Sequence, residues 1–425
     1  MDNELEYHLD NAKDIPEINN KRFSTRKIIR LIIIISIIVI IALALILYFC
    51  LSGNDQKNDN EDKKDESQKP NPIPIENSNI TFIPNISYVN TNIVNSFKKD
   101  GENYLPNLGE INNGEDYEKN EQNMYDIYFP DKNSINISKP IILMIHGGAW
   151  TDFTKDIVAD FCKILAENGY ISATMGYTLL GQKGTKYNIF KTIDEINCAI
   201  SSIKNVLKNL DFNEKELKIV IAGESSGAHQ ALLYSYMNKK QPEIPIKFTI
   251  NFFAPVTLES QYYYKLVGEP FENIDPETIA EAEKNKTIVE LNTKLINPSS
   301  LVNYMNLFLG SLYSDDELKK MIKDNKTDTE NEGYIELLNK AKYGFPVNYI
   351  TKNSLPTINL YGGRDDIIGV KHYAYLKSRF EEEGHYNNVL IYGKDFNHVY
   401  FFYQDKDTFN KLLFQIENFT NLYMN

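Results

Sequence analysis

The sequence predicts an α/β domain with a mostly parallel central sheet and helices on both faces, preceded by a single transmembrane helix. From about residue 120 onward, short and continuously apolar stretches alternate with longer amphipathic ones. Buried parallel strands joined by helices have this pattern. Near the amino terminus, one uninterrupted apolar segment follows a cluster of basic residues, which is typical of a membrane anchor.

The composition is that of a large globular protein with an acidic surface. The chain has 425 residues with a hydrophobic share of 42%, and a domain of roughly 300 residues buries about three quarters of its unfolded surface. The net charge of -13 argues against a nucleic-acid partner, because binding phosphate needs clustered Lys and Arg. The three cysteines have no metal-ligand spacing. We therefore expect no nucleic-acid partner, no metal and no cofactor.

The predicted anchor covers residues 28–51. Its apolar part is interrupted only by Ser36, and about 20 residues at 1.5 Å each span the roughly 30 Å of a bilayer core. Because basic residues precede it, we expect residues 1–27 to be cytoplasmic and the rest to lie outside the membrane. Cleavage as a signal peptide remains an alternative, although the segment is long and lacks a clean small-residue cleavage site. The basic residues are Lys21, Arg22, Arg26, Lys27 and Arg30, and all of them precede the apolar part, Leu31–Leu51.

Residues 52–78 are mainly Asn, Asp, Lys, Glu and Pro, with almost nothing apolar before Ile73. Such a segment cannot bury enough surface to offset its ordering entropy. We interpret it as a flexible linker that tethers a globular domain of residues 79–425.

Within that domain, alternating or continuous apolar patterns predict strands, and a 3.6-residue spacing predicts helices. The strands are expected at Met124–Phe129, Pro140–Ile145, Ile171–Met175, Leu217–Ala222, Phe248–Phe253, Thr357–Tyr361 and Val389–Tyr392. The helices are expected at Phe153–Asn168, Ile189–Leu210 and Ala228–Met237, with a last one beginning near Thr408.

The segment from 258 to about 345 breaks this alternation and is mostly polar with helical spacing. A structureless loop of that length is improbable within a compact domain. We interpret it as a helical cap inserted over the carboxyl edge of the sheet, and a surface insertion without a functional role is the alternative.

The pentapeptide from Gly223 to Gly227 fits Gly-x-Ser-x-Gly, with Ser225 at its centre. A predicted strand leads into it and a predicted helix leads out, so a sharp turn would raise the serine hydroxyl above the sheet. Ser225 is therefore the candidate nucleophile.

A second motif, His146-Gly147-Gly148-Ala149-Trp150, follows an earlier strand. Small residues there leave backbone N–H groups free to face a developing oxyanion. With both motifs in this order, the chain from about 120 to 425 resembles the α/β-hydrolase superfamily. The similarity is to the His-Gly-Gly-loop carboxylesterases, a branch with hormone-sensitive-lipase-like, feruloyl-esterase-like and kynurenine-formamidase-like members.

That resemblance implies the rest of the site. The oxyanion hole would be formed by the N–H groups of Gly148, Ala149 and Ser226. The acid that follows the nucleophile in the superfamily would be Asp365, by its Gly-x-x-Asp spacing, with Asp366 as the alternative. The base would be His398, which lies between the last strand and the last helix.

Together these residues predict an esterase with a Ser-His-Asp triad that acts on a small-molecule ester and needs no cofactor. Two other functions stay open at this stage. One is hydrolysis of an amide, as in formamidases or peptidases, and the other is a non-catalytic binding module on a hydrolase fold.

Overall fold

The fold was taken from a computed structural model, which describes residues 72–76, 78–88, 122–131, 138–181, 188–237, 242–257, 298–324, 326–365, 367–369, 371–394, 396–398 and 406–424. Every described residue lies in one compact unit, residues 68–425. No helix in this described part is long and apolar enough to cross a membrane. The predicted tail and anchor, residues 1–51, lie outside the described residues.

A nine-stranded sheet forms the centre of the described domain, in the order β1-β2-β3-β5-β4-β6-β7-β10-β11. The six strands from β5 to β11 in that order pair in parallel, and β1, β2 and β3 extend the sheet on one side by antiparallel pairing. The sheet strands are β1 (Ile73–Pro74), β2 (Thr81–Ser87), β3 (Met124–Phe129), β4 (Ile141–Ile145), β5 (Ser172–Met175), β6 (Ile219–Glu224), β7 (Ile246–Phe252), β10 (Thr357–Gly362) and β11 (Asn388–Gly393).

The order of the strands places the candidate site. β4 pairs with β5 on one side and with β6 on the other, so the direction in which the chain adds strands reverses at β4. In open parallel sheets, such a reversal leaves a crevice beyond the carboxyl ends of the strands, and ligands bind there. The loops that follow β4 and β6 carry the two glycine motifs and border this crevice.

Helices cover both faces of the sheet. The described helices are α1 (Ala159–Glu167), α2 (Ile189–Asn209), α3 (Ser226–Met237), α4 (Pro298–Phe308), α5 (Asp315–Lys320), α6 (Glu332–Ala341), α7 (Lys371–Glu382) and α8 (Lys406–Tyr423). Along β4, Leu143 joins the core under α2 and α3, whereas Met144 joins the core under α1 and α8. Successive residues of a strand point to opposite faces, so a continuously apolar strand supplies both cores, as predicted.

The predicted linker boundary at residue 78 needs a correction. Ile73–Pro74 forms the short strand β1, which pairs with Thr81–Phe82 of β2. Pairing at a sheet edge uses backbone hydrogen bonds and needs little apolar burial, and both β1 residues are exposed. The sheet therefore begins within the segment interpreted as linker.

The predicted cap, 258–345, is described from residue 298. It contains α4, α5, α6 and a small hairpin of β8 (Ile322–Lys323) and β9 (Lys326–Thr327). We predicted a mostly polar segment, but helix α4 contributes four fully buried apolar residues to the core. These are Leu301, Val302, Met305 and Phe308. The Phe308 ring meets the Trp150 ring edge-on at 4.6 Å between centroids. Helix α4 thus lies against the loop that follows β4.

Candidate active site

Ser225 lies at a sharp turn between β6 and α3. Its backbone is left-handed, with φ 51°, a conformation that costs a residue other than glycine about 1 kcal/mol and is found where function requires it. The Ser225 N–H donates to the Phe252 carbonyl across the neighbouring strand β7 at 2.8 Å, and the Ser225 carbonyl accepts from the His229 N–H at 3.0 Å. These two hydrogen bonds hold the turn from both sides.

The two glycines of the motif are required because a side chain would not fit at either position. A Cβ on Gly223 would lie 2.4 Å from the backbone of Gly227, and a Cβ on Gly227 would lie 2.2 Å from the Ile145 carbonyl oxygen. Real Cβ atoms essentially never come closer than 3.0 Å. The spacing Gly-x-Ser-x-Gly thus lets the start of α3 pass directly over the ends of β4 and β6.

The three residues predicted as a triad lie in one hydrogen-bonded chain. The His398 Nε2 atom is 2.9 Å from Ser225 Oγ, and His398 Nδ1 is 2.8 Å from Asp365 Oδ2. The alternative acid, Asp366, lies outside the described residues. An ionised carboxylate can only accept, so Nδ1 carries the proton and Nε2 is left to accept from the serine hydroxyl.

Neighbouring strands bring the acid and the base together. β10 and β11 are in parallel register up to the pair Gly362 and Gly393, so the loops after them start side by side. A Cβ on Gly362 would lie 2.3 Å from the Phe396 carbonyl oxygen, and the Arg364 N–H donates to that same oxygen at 2.9 Å. The loop before His398 therefore packs directly on the loop that carries Asp365.

The Asp365 carboxylate is fixed and shielded. Its Oδ1 atom accepts the N–H groups of Ile367 and Ile368 at 2.9 and 2.7 Å, which leaves Oδ2 for His398. The side chain of Asp365 is 0% exposed and that of His398 is 11% exposed. The Phe253 ring covers His398 edge-on at 6.1 Å.

The loop after β4 has an unusual backbone. Gly148, Ala149 and Trp150 have φ values of 113°, 49° and 64°. The turn is closed by the Thr151 and Asp152 N–H groups, which both donate to the Gly148 carbonyl at 3.0 and 2.9 Å. Three consecutive residues with positive φ turn the peptide groups out of the ordinary strand direction. The loop is therefore a sharp turn that its own backbone hydrogen bonds close.

The predicted oxyanion donors have free N–H groups. Among the described residues, no acceptor takes the backbone N–H of Gly148, Ala149 or Ser226. Ser226 is the first residue of α3, where the N–H groups of a helix have no partner within the helix and favour negative charge. The loop after β4 lies beside the nucleophile, since a Cβ on Gly147 would be 3.2 Å from Ser225 Cβ.

His146, the first residue of the second motif, contacts and shapes this loop. Its Nδ1 atom is 2.6 Å from the Gly147 carbonyl, so it is the proton-bearing nitrogen. Its ring stacks on the Tyr177 ring at 4.3 Å. Burial lowers the pKa of His146 to about 4, so the ring is neutral at pH 7. It therefore adds no charge to the loop of residues 146–150, which carries predicted oxyanion donors and is named the oxyanion loop.

A buried aromatic cluster lies behind the loop. His229, one turn into α3, donates from Nε2 to the Gly344 carbonyl of the cap segment at 2.9 Å. Its ring meets the edges of Trp150 and Phe308, each at 5.3 Å. Burial lowers the pKa of His229 to about 3, which keeps it neutral. Trp150 is 1% exposed, so its ring is part of this buried cluster.

Sequence reasoning overlooked three residues at the site. Phe253 covers His398, and Tyr177 supports His146, but neither belongs to a recognisable motif. Glu224 is the variable residue before the nucleophile, and its Oε1 atom lies 3.3 Å from where a Gly147 Cβ would be. The Gly-x-Ser-x-Gly motif alone could have indicated Glu224, because the residue before the serine lies at the end of the strand that leads into the turn.

Within the described part of the chain, no three His, Cys, Asp or Glu side chains lie close enough together to hold a metal ion. Cys162 and Cys198 are buried free thiols, and burial raises the pKa of Cys162 above its ordinary value. That thiol is therefore not activated as a nucleophile.

Comparison with solved structures supports the fold. A truncated carbohydrate esterase from gut microbiota has a TM-score of 0.53 at 14% identity, over 82% of this chain and 99% of that chain. An inhibited esterase B from Lactobacillus Rhamnosis has a TM-score of 0.50 at 14% identity, over 81% of this chain and 88% of that chain. At such identities the likeness establishes the architecture alone.

Among curated proteins, a segment of the non-reducing polyketide synthase atr1 of Stereocaulon alpinum is 25% identical over 138 residues. The match covers 32% of this chain and only 6% of the synthase. The BD-FAE family model matches residues 125–380, which is more than half of the chain and includes Ser225, the loop after β4 and Asp365. The chain therefore belongs to the BD-FAE family, a family of α/β-hydrolase esterases.

Proposed function

We propose that this protein is a serine esterase that hydrolyses carboxylic esters through Ser225, His398 and Asp365. The observation that carries the proposal is the unbroken hydrogen-bonded chain from Asp365 through His398 to the Ser225 hydroxyl, with contacts of 2.8 and 2.9 Å. Covalent acyl transfer needs a nucleophile, a base that contacts it and an acid that orients the base, and these three groups are in contact in that order. Membership of an esterase family supports the same chemistry.

The reaction follows from the geometry. As Ser225 Oγ attacks the ester carbonyl carbon, its proton passes to His398 Nε2, and the carbonyl oxygen becomes an oxyanion. When the tetrahedral intermediate collapses, the bond to the leaving alcohol breaks and His398 gives the alcohol its proton. Water then attacks the acyl-enzyme by the same route, releasing the acid and restoring the serine. Asp365 orients the imidazole and stabilises the imidazolium that forms.

The oxyanion is held by backbone donors. The free N–H groups of Gly148 and Ala149 on the β4 loop and of Ser226 at the start of α3 border the nucleophile from two sides. Each such donor typically contributes about 3 kcal/mol to the transition state. Their preformed backbone means that no reorganisation is needed when the charge develops.

The first test is a substrate panel with the full chain in detergent. We expect hydrolysis of p-nitrophenyl esters within the series from acetate to laurate. p-Nitroanilides of the same acyl groups should react much more slowly, because an anilide is a poorer acyl donor. Faster cleavage of the anilides would favour the amide-hydrolase alternative, and no turnover of either series would favour a binding module.

The matched variants are Ser225→Ala and Ser311→Ala. Ser311 also has a left-handed backbone, with φ 59°, and it is exposed on the cap segment. Loss of the nucleophile should reduce kcat by about 10⁶, whereas Ser311→Ala should leave it unchanged. Esterase activity that persists in Ser225→Ala would overturn the proposal.

The acyl ester of a carbohydrate is the first natural substrate class to test. One of the similar structures is a carbohydrate esterase, and an extracytoplasmic domain would meet polysaccharides before cytoplasmic metabolites. Acetylated and aromatic-acylated oligosaccharides should therefore be included beside the synthetic esters. Release of acid that depends on Ser225 supports this class, and no release from any of them counts against it.

We further propose that residues 28–51 anchor the protein in a membrane, with the amino terminus cytoplasmic and the catalytic domain outside. The support is the apolar segment with its preceding basic cluster. Full-length protein should stay in the membrane fraction after alkaline carbonate extraction, and added protease should release the domain from intact cells. Release by carbonate alone would contradict the anchor.

A further inference from the structure

The Tyr177 hydroxyl lies between the two parts of the predicted oxyanion hole. Its Oη atom donates to the Gly147 carbonyl at 3.3 Å and is 3.4 Å from Ser226 Oγ. Tyr177 is fully buried, and burial raises the pKa of its phenol, so the hydroxyl keeps the proton that it donates. Because Gly147 belongs to the oxyanion loop and Ser226 begins α3, one buried hydroxyl contacts both sides of the hole.

The Gly147 carbonyl belongs to the same peptide unit as the Gly148 N–H, which is a predicted oxyanion donor. This bond is trans, and in a planar trans peptide the C=O and the N–H point in opposite directions. The carbonyl accepts twice, from His146 Nδ1 at 2.6 Å and from Tyr177 Oη at 3.3 Å. Two donors on the carbonyl therefore fix the plane of the peptide, and they direct the Gly148 N–H away from Tyr177. Hydrogen bonds to a carbonyl also polarise the groups linked to it.

The segment that carries Tyr177 is itself held in place. The Thr178 N–H donates to Glu195 Oε2 at 2.9 Å, and this carboxylate is completely buried on α2. Two residues further on, the Leu180 N–H donates to the Trp150 carbonyl at 2.8 Å. The chain after β5 thus contacts the oxyanion loop near both of its ends, through the Tyr177 hydroxyl and through a backbone hydrogen bond.

We propose that Tyr177 is a positioning residue for ester hydrolysis: its hydroxyl fixes the peptide between Gly147 and Gly148, and thereby the direction of the Gly148 N–H toward the oxyanion. This rests on the proposed esterase function. A phenylalanine at 177 keeps the ring that stacks on His146 at 4.3 Å but lacks the hydroxyl. The carbonyl then keeps only the hydrogen bond from His146, and the peptide is free to tilt.

The kinetic test compares Tyr177→Phe with the matched control Tyr236→Phe. Tyr236 is also buried, at the opposite end of α3 from Ser226, and its hydroxyl is 2.8 Å from Thr357 Oγ1. Tyr177→Phe should lower kcat by about tenfold and change KM by less than about twofold, because a misdirected donor is felt mainly in the transition state. Tyr236→Phe should leave kcat unchanged. A kcat for Tyr177→Phe within about threefold of the wild type, or an equal fall in the control, would overturn the proposal.

Replacing the carbonyl oxygen of the substrate by sulfur tests the oxyanion hole itself. Sulfur is a weak hydrogen-bond acceptor, so a p-nitrophenyl thionoester gains little from the backbone donors. The ratio of kcat/KM for the ester to that for the matching thionoester should therefore fall about tenfold in Tyr177→Phe and stay constant in Tyr236→Phe. If Tyr177→Phe slows both substrates equally, its hydroxyl does not act through the oxyanion donors, and the proposal is wrong.

Hydrogen exchange gives a readout that needs no turnover. Ser225→Ala and Ser225→Ala/Tyr177→Phe would be compared as full chains in detergent, by mass spectrometry of the peptide that covers residues 146–154. Its Thr151 and Asp152 N–H groups close the loop on the Gly148 carbonyl, and they should exchange several-fold faster without the tyrosine hydroxyl, because local opening costs less. Unchanged exchange would contradict the anchoring role. If the wild type hydrolyses no ester, the proposed function fails, yet this exchange still decides whether Tyr177 holds the loop.

Discussion

Replacing Gly227 with alanine tests whether close backbone contact at the nucleophile turn is what the site requires. The added Cβ would lie 2.2 Å from the Ile145 carbonyl oxygen and 2.4 Å from that of His146. Both neighbours are backbone atoms at the end of β4, so no side chain can rotate away. Either α3 or the start of the oxyanion loop must move by about 1 Å to restore an ordinary contact.

The expected magnitude follows from that displacement. Overpacking a rigid interior costs about 1–3 kcal/mol of unfolding free energy, which a domain of this size can tolerate. A misplacement of about 1 Å between reacting groups costs about 10²-fold in rate. Because the shift separates Ser225 from the Gly148 and Ala149 donors, we expect kcat to fall by about 100-fold in protein that is still folded.

Gly384→Ala is the matched control. Gly384 also has a left-handed backbone, with φ 68°, but no atom lies within 4 Å of its Cβ position. It should lose about 1 kcal/mol of stability from backbone strain alone and keep full esterase activity. Urea unfolding and p-nitrophenyl ester turnover would be measured for both variants. Wild-type activity in folded Gly227→Ala would refute the steric reasoning.

Three further predictions follow from buried polar groups. Burial lowers the pKa of His146 to about 4 and of His229 to about 3, whereas an unfolded histidine titrates near 6.5. The unfolded chain thus binds more protons below pH 6.5, and urea unfolding should show stability falling by about 1 kcal/mol per histidine for each pH unit toward pH 4. His229→Gln keeps a donor for the Gly344 carbonyl, and it should reduce that slope by about one proton; an unchanged slope would contradict the assignment. Lys155 forms a buried ion pair with Asp126 at 2.8 Å, so Lys155→Met should cost about 3–5 kcal/mol. Adding Asp126→Asn should recover part of that cost, and a single variant as stable as the wild type would argue against the pair. Asp365→Asn should lower kcat by about 10⁴ with little change in stability, because the amide would hold His398 in the wrong tautomer; activity within tenfold of the wild type would point to another acid.

The order of strands and helices was predictable where burial is continuous. β4 and the first four residues of β6 are apolar because both of their faces are covered, and each strand runs into a glycine motif whose spacing has a steric cause. The positions of Asp365 and His398 were predicted by resemblance alone. These two residues come close together because β10 and β11 pair in parallel up to Gly362 and Gly393, so the loops that carry them start side by side.

The strand β2 was not predicted, and there is a physical reason for this. β2 contains Pro84 and Asn85, and proline lacks the N–H that a central strand needs. The structure accommodates them at a register shift between Ile83 and Ile86, with Asn85 left-handed at φ 53°. A pattern of alternating residues cannot reveal such an irregularity.

Long-range contacts at the site were equally out of reach. His229 and Gly344 are 115 residues apart, and Glu224 meets Gly147 only because two strands are neighbours in the sheet. Sequence spacing is informative within an element and at its ends. It carries no information about which loops of different elements come together, unless a known family supplies it.

The central claim is that Ser225 attacks the substrate and becomes acylated, and trapping the acyl-enzyme tests it most directly. A slowly hydrolysed p-nitrophenyl ester would be mixed with the protein, the reaction quenched in acid, and the adduct located by mass spectrometry of peptides. We predict one acyl group per chain on the peptide that contains Ser225, and none on Ser225→Ala. An acyl group on another residue, or ester hydrolysis by a chain that lacks this hydroxyl, would contradict the account.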